Sequence, residues 1–213
     1  YRVTSIGDSA FSYCKSLTSI VIPEGVESIG FSAFEYCEKL TSITIPSSVT
    51  SIGDNTFYRC FSLTSIVIPD NATSIGDCAF AGCRSLTSVT IPSNVTSIGN
   101  RAFFGCRNLT SIAIPESVTS IGNEAFCSCD GLKSVVIHNG VKTIGQAAFA
   151  NCSDLMSVTI SNSVTNIGDN VFYGCPNLTS PIYNAHCFAY LPTSYQGAYT
   201  IPNGIKQIAG GAF

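Results

Sequence analysis

Eight cysteines stand in strict register along this chain: Cys14, Cys37, Cys60, Cys83, Cys106, Cys129, Cys152 and Cys175, each 23 residues after the last. Phe11, Phe34, Phe57, Phe80, Phe103, Phe126, Phe149 and Phe172 keep the same period, as does an Ile-Gly pair running from Ile6-Gly7 to Ile167-Gly168. A fixed period of this length describes a solenoid, in which each repeat is one coil that buries its apolar face on its neighbours. It also constrains function. A residue repeated in every coil is explained by architecture before it is explained by chemistry.

Composition fits a stack of coils. Of 213 residues, 45% are apolar and only 11% charged, so the chain needs a continuous core to hide its apolar surface. Ser, Thr, Gly or Pro interrupts every apolar run well before the ~18 residues of a membrane span. The net charge is −3 and the ten Lys and Arg are scattered, which excludes the basic stripe of a nucleic-acid-binding protein. A polybasic membrane-surface segment is absent as well. The sequence carries no signal peptide and opens and closes mid-repeat, at Tyr1 and Phe213, so the expectation is a piece of a longer protein.

One coil reads as follows. Alternation through Ile20, Val21 and Ile22 makes a short strand with both isoleucines inward. Pro23 ends it by removing a backbone donor. Val26 and Ile29 turn inward again as a second short strand. Gly30 supplies a tight bend, and the Ala33-Phe34-x-x-Cys37 spacing suits a single helical or 3₁₀ turn with Phe34 and Cys37 on one face. Leu40 restarts the cycle. The expected parallel sheet comprises residues 17–22, 40–45, 63–68, 86–91, 109–114, 132–137 and 155–160.

The pattern resembles a leucine-rich repeat, and more specifically the BspA-like subgroup with its L-T-S-I-x-I-P…V-T-S-I-G…A-F-x-x-C motif. The second coil holds that form as Leu40-Thr41-Ser42-Ile43-Thr44-Ile45-Pro46, Val49-Thr50-Ser51-Ile52-Gly53 and Phe57-Tyr58-Arg59-Cys60. The resemblance covers nearly the whole chain, residues 1–213. It implies a strand-dominated α/β solenoid, a right-handed leucine-rich-repeat stack of 23-residue coils with short 3₁₀ or helical turns. It further implies a cell-surface or secreted protein of a bacterium or parasitic protist, often linked to adhesion. Departures are few: Ala72 replaces the Val of the second strand, His138 and Ser161 replace the strand-ending Pro, and Phe31 replaces the usual Asp or Asn after Ile-Gly. After Tyr183 the period breaks, because Ile201 follows 18 residues later rather than 23. Residues 184–200 therefore read as a shortened coil that keeps both strands, with Phe188 and Tyr190 inward, and drops the Phe-x-x-Cys turn. Tyr-rich short coils of this kind belong to the resemblance.

Candidate chemistry resolves into architecture almost everywhere. Equivalent Cβ atoms of stacked coils lie about 4.8 Å apart, beyond the ~3.5–4.5 Å of a disulfide, so the in-register cysteines are expected to be reduced and buried. Replacing Cys83 by Ser is then expected to cost about 1–3 kcal/mol for a poorly paired hydroxyl. Cys78, Cys127 and Cys187 are out of register and expected to be more accessible. Cys127-Ser128-Cys129 lacks a second close Cys or His pair, so no metal site is expected. His186 and Cys187, adjacent in a strand, point to opposite faces and form no dyad. Asp8, Asp54, Asp77 and Asp169, with Asn100 and Asn123, follow their Ile-Gly pairs and are expected to cap the turn that follows rather than to bind calcium. Asn71-Ala72-Thr73, Asn94-Val95-Thr96, Asn108-Leu109-Thr110, Asn151-Cys152-Ser153 and Asn177-Leu178-Thr179 fit the N-glycosylation pattern, which matters only in a eukaryotic host. No catalytic residue and no cofactor are expected.

Function then belongs to the surface. Ser19, Ser42, Ser65, Ser88, Ser111, Ser134, Ser157 and Ser180 form an outward row, beside Val21, Thr44, Val67, Thr90, Ala113, Val136 and Thr159. Ser42, Thr44, Ser65, Val67, Ser88, Thr90 and Ser111 mark the candidate binding face, for a protein or glycan ligand and not for nucleic acid. Tyr195 and Tyr199 in the shortened coil are a candidate aromatic contact. The reading is a non-catalytic surface binding or adhesion module; the alternative is a passive spacer that holds another domain away from the cell.

Overall fold

The computed structural model describes residues 3–213. Its strands run two to four residues each, and there is no helix among the described residues. Ser65–Val67, Ser88–Thr90, Ile112–Ala113, Ser134–Ile137 and Ser157–Ile160 form one parallel sheet, preceded by the parallel pair Ser19–Val21 and Ser42–Thr44. Ser74–Ile75, Ser97–Ile98, Ser120–Ile121, Thr143–Ile144 and Asn166–Ile167 form a second, extended by the Ile52–Ile75 bridge and the pair Ser5–Ile6 with Ser28–Ile29. Each residue pairs with its equivalent one repeat on, Ser65 with Ser88 and Ser120 with Thr143. The strands are shorter than residues 17–22 and their equivalents. Leu40, for example, closes the preceding turn through its bond to the Cys37 carbonyl instead of opening a strand.

Alternation places Ile43, Ile66, Val89 and Ile112 inward from the first sheet, against Ile52, Ile75, Ile98 and Ile121 from the second, in one buried cluster that runs from Ile22 to Ala212. The third side of each coil contributes a phenylalanine. From Phe11 to Phe172 the rings stack in single file, with centroids 5.1–5.8 Å apart. Each burial is worth about 1.5–3 kcal/mol, and offset stacking about 0.5–1.5 more.

The segment that carries Phe and Cys is not the expected 3₁₀ or helical turn. Its N–H groups alternate. Ala33, Glu35 and Cys37 donate three residues back within the coil, whereas Ser32, Phe34 and Tyr36 donate to Asp54, Thr56 and Tyr58 in the next coil. A helix would keep all of these donors to itself. The alternation is produced by left-handed backbone at Ser32 and Tyr36, both with φ 54°, and the same two positions are left-handed in coil after coil.

The Ile-Gly glycine also serves a purpose other than the expected bend. A Cβ on Gly99 would stand 2.6 Å from the Asp77 Oδ1 and 2.7 Å from its backbone nitrogen. Glycine is required here by the close approach of consecutive coils. The Asp and Asn column reaches across the same gap. It caps the next coil rather than its own turn: Asp54 Oδ1 accepts from the Asp77 N–H at 2.7 Å, and Asn100 Oδ1 accepts from the Asn123 N–H at 2.9 Å.

The shortened coil departs from its expected path. Phe188 and Tyr190 are buried, but they do not belong to a coil with two strands. Cys187–Tyr190 is one strand, antiparallel to Ile182–Tyr183 and parallel to Gln207–Ile208. The chain reverses at Asn184, whose Oδ1 accepts from the N–H groups of His186 and Cys187, while its Nδ2 donates to the Ser161 and Val164 carbonyls. Eighteen residues are too few to travel round the coil, so the chain folds back. The Gln207 side chain then stands in for the missing second strand: its Oε1 accepts from the Ile167 N–H at 3.1 Å and its Nε2 donates to the Ile167 carbonyl at 2.6 Å.

Candidate binding faces

The first sheet shows one face to solvent. Ser42, Thr44, Ser65, Val67, Ser88, Thr90 and Ser111 are all exposed, and Val67 is 77% so. The threonine one step before each serine is committed to the stack: Thr41 Oγ1 donates to the Thr18 carbonyl at 3.0 Å, and Thr64, Thr87 and Thr110 repeat the bond one coil on each time. The serine hydroxyls of this face make no hydrogen bond among the described residues. Small, uncharged and unengaged, they are free to meet a partner. A sequence reading that treats every repeated hydroxyl alike does not separate the structural Thr from the available Ser.

Other polar groups are tied into the stack. Asn71, Asn94 and Asn177, three of the N-glycosylation matches, donate their side-chain amides to the Ser47, Asp70 and Ser153 carbonyls of the preceding coil, each at 2.8 Å. Asn108 is exposed and carries no such bond.

The cysteines form a ladder of their own. Cys37, Cys60, Cys83, Cys106, Cys129, Cys152 and Cys175 are buried free thiols, and each donates to the carbonyl of the preceding coil's phenylalanine at 3.1–3.2 Å. Burial pushes the Cys83 thiol up to about 12. Cys14, on the outermost described coil, is exposed. Two of the three out-of-register cysteines are less accessible than expected: Cys127 and Cys187 are buried, Cys187 because the reversed strand carries it inward, and only Cys78 is partly exposed. No group of three or more His, Cys, Asp and Glu converges on a point among the described residues.

The repeat geometry is matched by known proteins. The pattern of the BspA type leucine rich repeat region fits residues 4–130 and 50–179, in 6 copies. This chain belongs to the BspA-type leucine-rich repeat family. A leucine rich cell surface protein of Faecalibacterium prausnitzii is similar in structure, with 32% sequence identity and a TM-score of 0.63, over 99% of this chain and 68% of that one. A leucine rich repeat protein of T. pallidum is similar over 83% of this chain and 72% of its own, with 30% identity and a TM-score of 0.57. A leucine-rich repeat protein from Eubacterium ventriosum shares the fold at 22% identity and a TM-score of 0.63, over 99% of this chain and 79% of that one. No curated protein matches. No helix of the described chain is long and apolar enough to cross a membrane.

Within this BspA-type chain the aromatic pair of the short coil is less free than its sequence suggests. Tyr195 is 42% exposed and donates its hydroxyl to the Ala198 carbonyl at 3.1 Å. Tyr199 meets it edge-on at 5.3 Å but leans on buried Phe188 at 5.5 Å, so it belongs partly to the core.

Proposed function

We propose that this chain is a non-catalytic surface module that binds a protein or glycan through the first-sheet face, as in adhesion. The observation that carries the reading is the contrast between the two hydroxyl columns: Thr41, Thr64, Thr87 and Thr110 are bonded to the neighbouring coil, while Ser42, Ser65, Ser88 and Ser111 are exposed and unengaged. Display on a cell surface is supported by the Faecalibacterium prausnitzii relative, itself named a cell surface protein. A face repeated coil after coil suits many weak contacts that gain strength by avidity.

The test is a binding screen of the purified chain against host matrix proteins and glycans, run beside Ser65→Arg/Ser88→Arg. Both positions are exposed, so the variant is expected to melt like its parent. Binding that the variant loses supports the face. Binding that survives in the variant puts the contact elsewhere on the molecule and overturns this face; no binding in the parent favours a passive spacer.

A further inference from the structure

Five of the ten Lys and Arg, scattered in the sequence, stand on or beside the Phe-x-x-Cys turns, on a different side of the coil: Arg101 at the start of its turn, and Lys15, Arg59, Arg84 and Arg107 at the end of theirs. Three have carboxylate partners: Lys15 with Glu38 at 2.8 Å, Arg101 with Glu124 at 2.8 Å and Arg107 with Asp130 at 3.7 Å. Arg59 and Arg84, on consecutive coils, have none among the described residues. Each lies on aromatic rings instead. The Arg59 guanidinium carbon stands 5.3 Å from the Tyr36 ring centre and 5.2 Å from that of Tyr58, and the Arg84 carbon is 4.8 Å from Phe61. The Arg59 stem crosses Gly82, where a Cβ would come within 3.2 Å of it. A guanidinium resting on a ring face keeps its in-plane N–H fork for a bidentate anion. In a chain of net charge −3, two such forks on consecutive coils, neither paired with a carboxylate, mark a site for an acidic partner.

The backbone narrows the class of partner. Tyr58, Arg59, Cys60, Phe61, Ser62, Gly82, Cys83, Arg84 and Ser85 all have their N–H groups engaged within the stack. A peptide would find no free main-chain donor here and could not add as a strand. Recognition is left to the guanidinium forks, because Tyr36 lies between Tyr13, stacked on it at 4.6 Å, and Arg59, and the rings serve to hold the arginines. Two forks on a surface without main-chain donors suit a polymer that carries carboxylates along its length and needs no backbone pairing, as a chain of uronate sugars does. We propose that Arg59 and Arg84, held in place by Tyr36, Tyr58 and Phe61, bind a polyuronate, a polysaccharide with one carboxylate on each sugar. The site is separate from the Ser/Thr face and does not depend on it.

The experiment is calorimetric titration of the chain with short polygalacturonate oligosaccharides at low salt. The parent is expected to bind, to weaken as NaCl is raised, and to ignore the methyl-esterified oligosaccharide, whose carboxylates are uncharged. Arg59→Gln and Arg84→Gln should each weaken binding by about tenfold, the loss of one charge-assisted contact. Arg59→Lys should also weaken it, because the charge remains but the planar fork does not. Both Arg side chains are exposed, so these variants are expected to melt within about 2 °C of the parent. Arg101→Gln, which removes a paired arginine, should bind as the parent does, and so should Ser65→Arg/Ser88→Arg. No binding by the parent would overturn the proposal. So would equal binding of polyglutamate, which means charge attraction alone, or undiminished binding by Arg59→Gln/Arg84→Gln.

Discussion

Cys83 donates its thiol hydrogen to the Phe57 carbonyl at 3.2 Å, in an environment that holds it up to about 12 against an ordinary value of 9.0. The unfolded thiol therefore ionises first as pH rises, while the folded one keeps its proton. Stability is fully present below pH 9.0 and declines toward about 12, by about 1.36 kcal/mol per pH unit for each such thiol. Burial raises Cys60, Cys106 and Cys129 in the same direction. The urea midpoint should accordingly fall steeply between pH 9 and pH 11, and less steeply in Cys83→Ser, whose hydroxyl does not titrate there. A flat midpoint across that window would contradict the buried ladder. Because the thiol has an acceptor, serine at position 83 keeps a bond, and its cost at neutral pH should sit near the low end of the range, about 1 kcal/mol by chemical denaturation. In the native protein an alkylating reagent should reach Cys14 and Cys78; the other nine cysteines should react only after denaturation. The left-handed turn positions make a further residue-scale prediction. Ala147 has φ 52°, a conformation that Gly82 and Gly105 supply at no steric cost at the companion position. Ala147→Gly should raise stability by about 0.5–1 kcal/mol, read in the same assay.

At the scale of the element, the coil corner joins two requirements: glycine for close approach, and a side-chain oxygen for the next coil's N–H. Gly99→Ala would drive a methyl into Asp77 and should cost at least about 2–3 kcal/mol, lowering the melting temperature sharply. Phe31 breaks the oxygen column. Phe31→Asn should give Asp54 the acceptor that Asn100 gives Asn123, and stabilise by about 0.5–1.5 kcal/mol; a lower melting temperature would show that the Phe31 ring contributes more than the bond it displaces. The inward alternation and the Phe and Cys ladders were legible in the sequence because one residue type fills each position in every coil. The corner was not. Left-handed backbone at Tyr36, Arg59 and Ser128 has no residue signature, since glycine takes that place only at Gly82, Gly105 and Gly174. The direction of Cys187–Tyr190 was hidden for a different reason: alternation decides which face a residue shows, and an antiparallel strand satisfies it as well as a parallel one. The arginine site escaped because Arg59 and Arg84 lie 25 residues apart and so fall off the 23-residue period.

At the scale of the whole molecule, the alternating turn bonds and the two sheets tie each coil to its two neighbours and to little else. Such a stack behaves as a row of coupled units, strongest in the middle. Hydrogen exchange should be slowest at the Phe80, Phe103 and Phe126 amides, each bonded to the following coil, and fastest around Tyr195 to Gly197. Uniform protection along the chain would argue against this row-like behaviour. The thiol ladder has one more consequence. Eleven cysteines and no cross-link mean that folding includes no oxidative step, so no disulfide isomerase is needed and no wrong pairing has to be undone. The same chain should reach the same state in the presence or absence of a reducing agent, whichever side of a membrane it folds on.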